Sequence, residues 1–327
     1  MTPGEEGGGA GAVAATDRPQ AAEERDPEVR ATDARRIAVF GGVYSNWRAL
    51  EAVVEDARRR GADELYCLGD LGAFGPNPDR IPPRLIDADV RTIRGNYDDS
   101  ISRGLDDCQC GYTDPRDNHF ARLSYRYTFR NTSERWREWM GTLPEQRRIE
   151  MAGREVLMCH GSPRRMNEFL WESTSSTQFL DWMAREHGAD VVLCTHTGIH
   201  WKRRLSGGGW FANVGCIGRP PNDGRTDVWY TLLSTEGDGG EEPTSASSPG
   251  EREAPAGGNG GRDRSTGDGG DAALEVEFVP VSYDHEALAE EMRREELPEE
   301  FVETILTGWW TTCLEVLPAK ERRRGRH

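Results

Sequence analysis

The 327-residue chain lacks any apolar run approaching the ~18 residues of a membrane span. Its first stretch, Met1–Thr32, is rich in Gly, Ala and Glu and has no hydrophobic centre, so it does not read as a signal peptide. A basic excess is also missing. The formal net charge is −16, which argues against a nucleic-acid groove or docking on an anionic membrane. Cysteine is sparse and unpaired in pattern. There are seven, and Cys67, Cys159 and Cys194 lie in apolar settings that suit buried thiols in a reducing cytoplasm. Cys108-Gln109-Cys110 could hold a metal, but it has no second pair to complete a site. These absences lead to the expectation of an acidic, cytoplasmic globular protein.

What is present is a series of short apolar runs, each ending in glycine or a polar residue. Ile37–Phe40 reads as a buried strand, followed by the loop Gly41–Tyr44 and a helix over Trp47–Arg60 capped by Ser45 or Asn46. Leu65–Leu68 is a second strand, so the unit is βαβ with parallel strands. A helix over Pro82–Ala88 and a strand over Val90–Ile93 follow. Residues 99–120 read as irregular. Helices are expected over Phe120–Tyr127 and Ser133–Met140, the latter burying Trp136, Trp139 and Met140. Arg148–Met151 and Val156–Cys159 form a hairpin through Gly153. Ser176–His187 is helical, and Val191–Cys194, Trp210–Val214 and Val228–Leu233 are strands. Residues 235–272 have almost nothing to bury and read as a flexible insertion inside a hairpin, because Leu274–Val281 resumes as a strand pairing with 228–233. Helices over His285–Arg294 and Pro298–Thr307 close the chain. The domain therefore spans 35–318, after a disordered tail over 1–34 and before a basic tail over 319–327.

Four strand ends carry a candidate metal ligand: Asp70, Asn96, His160 and His196. Ligand crevices in open α/β sheets form at the C-terminal ends of strands. Two oxygens and two imidazole nitrogens suit Mn, Fe or Zn better than Ca or Mg. Taken singly, each residue is a turn cap or a hydrogen-bonded core group. Together at one sheet edge they point to a metal.

These pieces resemble the calcineurin-like metallophosphoesterases, in particular their small bacterial and archaeal phosphodiesterase branch. The resemblance runs through Ser45-Asn46, Cys67-Leu68-Gly69-Asp70 with Gly75-Pro76-Asn77-Pro78, Gly95-Asn96, His160-Gly161-Ser162-Pro163, Thr195-His196-Thr197, Asn213-Val214-Gly215 and Tyr283-Asp284. It covers residues 35 to 308 apart from the insertion. It implies a four-layer α/β/β/α sandwich, two mixed β-sheets flanked by helices, with metals at the strand ends. Members carry two metals on Asp-x-His, Gly-Asp, Gly-Asn-His, His and Gly-His-x-His. Here Gly42 and Tyr44 stand where the first motif has Asp and His, Tyr97 where the catalytic His follows Asn, and Thr195 and Gly198 at the two ends of the last motif. One metal's ligands survive whole as Asp70, Asn96, His160 and His196. The other keeps only the shared Asp70. The resemblance therefore implies a remodelled site with one divalent Mn, Fe or Zn per chain.

The loss of the second metal and of the catalytic histidine bears on mechanism. A general acid contributes typically ~10²–10⁴-fold, and Tyr97 is the residue left in its place. Arg164, Arg165 and Arg94 are candidates to pair with a substrate phosphate. The Gly41-Gly42 backbone could offer N–H groups to an anion, and His200 and His119 are stray candidates for the lost ligand. Three functions follow as expectations. The first is a metal-dependent phosphoesterase acting on a phosphomonoester or phosphodiester. The second is an inactive phosphate- or nucleotide-binding protein on the same fold. The third is a purely structural domain.

Overall fold

Side chains along the central strands alternate between two different cores, and this alternation sets the architecture. The computed structural model describes residues 29–235 and 273–323. In chain order the described elements begin with β1 (Val29–Thr32), β2 (Arg36–Phe40), α1 (Trp47–Arg59), β3 (Glu64–Cys67), α2 (Ile81–Asp87), β4 (Val90–Thr92), α3 (Asn96–Ser102), α4 (Pro115–Asn131) and α5 (Glu134–Thr142). They continue with β5 (Gln146–Met151), β6 (Arg154–Cys159), α6 (Thr177–Glu186), β7 (Val191–Cys194), β8 (Trp201–Arg204) and β9 (Trp210–Asn213). The last are β10 (Val228–Thr235), β11 (Leu274–Val281), α7 (His285–Arg294), α8 (Glu299–Thr307) and α9 (Ala319–Arg323).

The strands form two mixed sheets, one ordered β11-β10-β2-β3-β4 and the other β1-β5-β6-β7-β9-β8. Ile37 and Val39 of β2, Tyr66 of β3, Val156 and Met158 of β6, and Val191 and Leu193 of β7 meet between the sheets. The intervening residues face outward under helices. Ala38, Phe40, Leu65 and Cys67 pack with residues of α1 and α8, while Cys159, Val192 and Cys194 pack against Leu180 and Met183 of α6. Strands buried on both faces read as continuous apolar runs, which is how β2, β3, β6 and β7 appear in the sequence. The expected four-layer sandwich is the observed fold.

The βαβ unit is present, with β2 and β3 parallel. Asn46 caps α1, its side-chain oxygen accepting from Ala49 N at 3.0 Å. β10 and β11 pair antiparallel from Val228↔Val281 to Thr235↔Leu274, so the chain on either side of the insertion forms one hairpin. The expected tail over 1–34 needs correction at its end. Val29–Thr32 is an edge strand parallel to β5, held to the neighbouring sheet by Arg30 on Tyr66 at 2.9 Å and Thr32 on Glu64 at 3.0 Å. Its mostly exposed residues left no hydrophobic signal. Residues 1–28, 236–272 and 324–327, where the rest of the two tails and the insertion were expected, lie outside the described residues. The supposedly basic tail begins as α9, where Glu321 is buried and accepts from Ser173 N and Oγ.

The stretch 99–120 is also more regular than expected. α3 begins directly at Asn96, with Gly95 as its extended N-cap, and α4 begins at Pro115 on an Asp114 cap. In α5 only Met140 is fully buried, and Trp136 and Trp139 are half-buried.

Candidate metal centre

Asp70, His160 and His196 sit at the ends of β3, β6 and β7, where the backbone leaves each sheet. Asp70 and His196 both hold left-handed backbone, at φ 56° and 68°. Such conformations are uncommon for residues with a Cβ and persist where the surroundings over-determine them. Two glycines allow the β3 and β4 ends to close together. A Cβ on Gly69, itself at φ 84°, would lie 2.3 Å from Gly95 N. A Cβ on Gly95 would lie 2.4 Å from Asp70 Oδ1 and 2.9 Å from His160 Cε1.

One donor atom from each of Asp70, His160 and His196 falls within 4.8 Å of the others. His160 Nε2 is 3.3 Å from Asp70 Oδ2 and 3.3 Å from His196 Nδ1. His160 Nδ1 lies 2.6 Å from Leu68 O. A carbonyl can only accept, so Nδ1 carries the proton and the Nε2 lone pair points into the cluster, the arrangement typical of a ligating histidine. Asn96, the fourth sequence candidate, begins α3. Its Nδ2 donates to Cys108 O at 2.8 Å, while its Oδ1 is buried with no hydrogen-bond partner. A buried carbonyl oxygen left unpaired is costly, and here its partner group is already spent on orienting it. Asp70, His160 and His196 fit a divalent transition ion.

The electrostatics of the two histidines differ. Burial and the adjacent His160 push the His196 pKa down to about 3, so it is the neutral imidazole that metals take. At His160 burial acts downward, but the Asp70 carboxylate outweighs it and raises the pKa. Asp70 is buried, which acts upward, yet the two histidines and the Tyr97 N–H at 3.0 Å hold its pKa below the ordinary value. Behind the cluster, burial and the nearby Asp70 raise Asp98 to about 7. Its carboxylate spends both oxygens on the N–H groups of Asp70, Leu71 and Gly95. It therefore ties the two loops that carry Asp70 and Asn96. Asn213 does the same on the other sheet, donating to Thr195 O at 2.7 Å and accepting from Gly215 N at 3.0 Å.

Gly42 and Gly198, where the resemblance places two further ligands, have close neighbours. A Cβ on Gly42 would lie 2.7 Å from the Cys216 side chain and 2.8 Å from the Tyr44 ring. One on Gly198 would lie 3.3 Å from the Trp310 ring and 3.4 Å from Cys216 Sγ. Tyr97 is buried, with its hydroxyl 3.1 Å from Ser124 Oγ, and burial drives its pKa far up. It lines a cavity together with Asp70, His196, Tyr44 and Arg219.

The other sequence candidates lie elsewhere. Arg94 pairs with Glu145 at 2.7 Å and Asp99 at 3.5 Å. Arg164 pairs with Glu168 and stacks on Phe179, and Arg165 is exposed. None of the three lines the cavity. The Gly42 N–H is committed to Gly69 O at 3.0 Å. His200 stacks on Trp229 with ring centres 4.6 Å apart, and His119 lies on α4 against Phe120. Cys108 and Cys110 are joined as a disulfide, which removes them as thiolate ligands. Arg219 was missed. It lies in the loop directly after the Asn213-Val214-Gly215 motif, and that position is its one signal in the sequence.

Among the described residues no helix is long and apolar enough to cross a membrane. In sequence the chain is similar to an uncharacterized protein of Methanocaldococcus jannaschii, 26% identical over 138 residues, which is 42% of this chain and 52% of that protein. The match thus spans about half the length of that curated relative. In structure it is similar to a metallophosphoesterase from Sphaerobacter thermophilus at a TM-score of 0.56 and 22% identity, covering 84% of this chain and all of that one. It is also similar to a hypothetical protein from Pyrococcus horikoshii at a TM-score of 0.62 and 18% identity, covering 84% and 99%. At such identities these likenesses speak for the fold. Residues 36–238, more than half of the chain, match the calcineurin-like phosphoesterase superfamily domain, and the chain belongs to that family.

Proposed function

We propose that this protein binds one divalent transition ion through Asp70, Asn96, His160 and His196 and uses it on a phosphate ester. The observation that carries the reading is the convergence of Asp70, His160 and His196 on one point, and the unpaired, buried Asn96 Oδ1 adds a candidate fourth ligand. A divalent ion supplies Lewis acidity toward a phosphoryl oxygen and toward water. The chain's own residues orient it. Leu68 O sets the His160 tautomer, Cys108 O turns the Asn96 amide, and the buried, neutral His196 adds no competing charge. A side chain on Gly42 would meet Cys216 and Tyr44 and one on Gly198 would meet Trp310, which supports one ion and not two.

A second reading has its own support. The hydroxyl of Tyr97, in place of the family's histidine, is bonded to Ser124 and strongly disfavours releasing its proton. That makes it a weak general acid and favours a phosphate-binding protein with little or no turnover. Elemental analysis of protein produced with ample Mn and Zn tests the ion itself. The expected result is close to one ion per chain, lost in His160→Ala. A screen of phosphomonoesters and phosphodiesters then separates the readings. Hydrolysis lost in His160→Ala supports the esterase, and thermal stabilisation without turnover supports the binder. Ion-free protein whose melting ignores chelator overturns both.

A further inference from the structure

We infer that Arg219 and the cavity it lines form the seat of a terminal phosphoryl group, which makes the ligand a phosphomonoester or phosphate itself. This deepens the one-ion reading and rests on it.

Arg219 is only 6% exposed. Its guanidinium carbon lies 3.5 Å from the centre of the Trp310 ring, with Phe74 and Tyr44 at 5.6 and 5.9 Å. The aromatic faces compensate part of its charge. No carboxylate of the described residues pairs with it, and its Nε has no hydrogen-bond partner. Asp70 lies across the cavity, and the titratable groups nearest the guanidinium are phenols and thiols, Tyr44, Tyr112, Cys216 and Cys313. Burial holds each of them above its ordinary pKa and so uncharged at neutral pH. A guanidinium cannot shed its proton, and a buried charge without a partner costs several kcal/mol. The arrangement calls for an anion.

The cavity decides which anion. Arg219 lines it together with Asp70 and His196, so a bound group touches the guanidinium and the ion site at once. Its volume is about 50 Å³. On that measure a water takes ~10–15 Å³, so the space suits a few waters or one phosphoryl group. Apart from half-buried Tyr112, every lining residue is buried. A phosphodiester, with substituents on two sides of phosphorus, must direct both of them toward the opening. A terminal phosphoryl can enter with its ester oxygen trailing outward. Charge agrees. A divalent ion and Arg219 set against the Asp70 carboxylate leave two positive charges, and a phosphomonoester carries about −1.5 to −2 at pH 7. Arg219 thereby supplies, from the loop that packs on Tyr44 and Trp310, a positive charge beside the positions where the family's second set of ligands is missing.

The test is calorimetric titration of the Mn- or Zn-loaded protein with inorganic phosphate and with dimethyl phosphate, for the native chain, Arg219→Gln and Arg219→Lys. Metal content is measured in each. Phosphate affinity is expected to fall roughly tenfold to hundredfold in Arg219→Gln at unchanged metal content, and less in Arg219→Lys. Dimethyl phosphate should bind the native protein at least tenfold more weakly than phosphate. Unchanged phosphate affinity in Arg219→Gln, or loss of the ion from that variant alone, overturns the inference. If Arg219→Gln does not fold, the dimethyl phosphate comparison decides, and equal affinity for the two ligands overturns it. A native protein that takes up no ion refutes the metal reading, while phosphate binding that still depends on Arg219 upholds this one.

Discussion

Adding one methyl group at Gly95 tests the geometry of the centre most directly. Gly95 has φ −93° and ψ 177°, an extended conformation open to any residue, so Gly95→Ala introduces no backbone strain. All of its effect is contact. The new Cβ would sit 2.4 Å from Asp70 Oδ1 and 2.5 Å from Asp70 N, where ordinary contact begins near 3.4 Å. Either the carboxylate and its backbone retreat by about 1 Å or the helix start at Asn96 does. Metal sites hold ligand distances to within about 0.2 Å, so the displacement is several times what coordination tolerates. A loss of metal affinity of at least ~100-fold is expected, beyond what disturbing a supporting residue alone costs. Overpacking should also cost about 1–3 kcal/mol, a fall in Tm of roughly 2–12 °C for a domain of this size. The assay is metal content by elemental analysis with thermal melting of the same samples. Gly207→Ala, with no atom within 4 Å of the added carbon, is the control and should match the native chain. A Gly95→Ala protein that keeps a stoichiometric ion and the native Tm refutes the placement of Asp70 against Gly95.

Three further outcomes are expected. Free Mn or Zn at about 100 times its Kd should stabilise the native chain by ~2.7 kcal/mol, and this gain should vanish in His160→Ala; equal gains in both would count against the ligand set. Leu193→Ala removes a fully buried side chain between the sheets and should cost about 2–5 kcal/mol in urea unfolding, whereas a cost below ~1 kcal/mol would mean the inter-sheet packing is misplaced. Burial acts upward on Glu291, but hydrogen bonds from Trp47 at 3.0 Å and Arg48 at 2.7 Å outweigh it and hold its pKa below the ordinary carboxylate value. Its contribution to stability is therefore full above the unfolded pKa and lost as pH falls through the lower folded value. Glu291→Gln should flatten that part of the acid-unfolding curve, and an identical curve would show that the contacts carry no weight.

The sandwich was legible because its central strands are buried on both faces. Ile37–Phe40, Leu65–Cys67, Val156–Cys159 and Val191–Cys194 leave uninterrupted apolar runs, and a polar residue at the end of each is conspicuous. The pairing across the insertion was legible from an apolar run at 228–233 and an alternating run at 274–281 on either side of a stretch with nothing to bury. β1 and β8 were not, since an exposed edge strand such as Val29–Thr32 and the Lys202–Arg204 stretch of β8 carry charge where a strand signal needs hydrophobes. The start of α3 at Asn96 was hidden because a strand end and a helix start share Gly95. Arg219 was hidden for a deeper reason. Its role depends on what fails to face it, and a missing counter-charge is a property of three-dimensional neighbours that a linear reading does not contain.

The antiparallel ladder of β10 and β11 has a consequence for how this domain can vary. The stretch 236–272 leaves at Thr235 and returns before Leu274, two residues locked as direct partners. Thr235 N also bonds to Arg35 O, just before β2 begins, whereas Asp70 lies past the far end of β3, which runs parallel to β2. The graft point is thus on the opposite rim from the chemistry. Both stubs are pinned by the ladder itself. Evolution, or an engineer attaching a tag, can lengthen or trim the chain there while the donors at the other rim stay where they are.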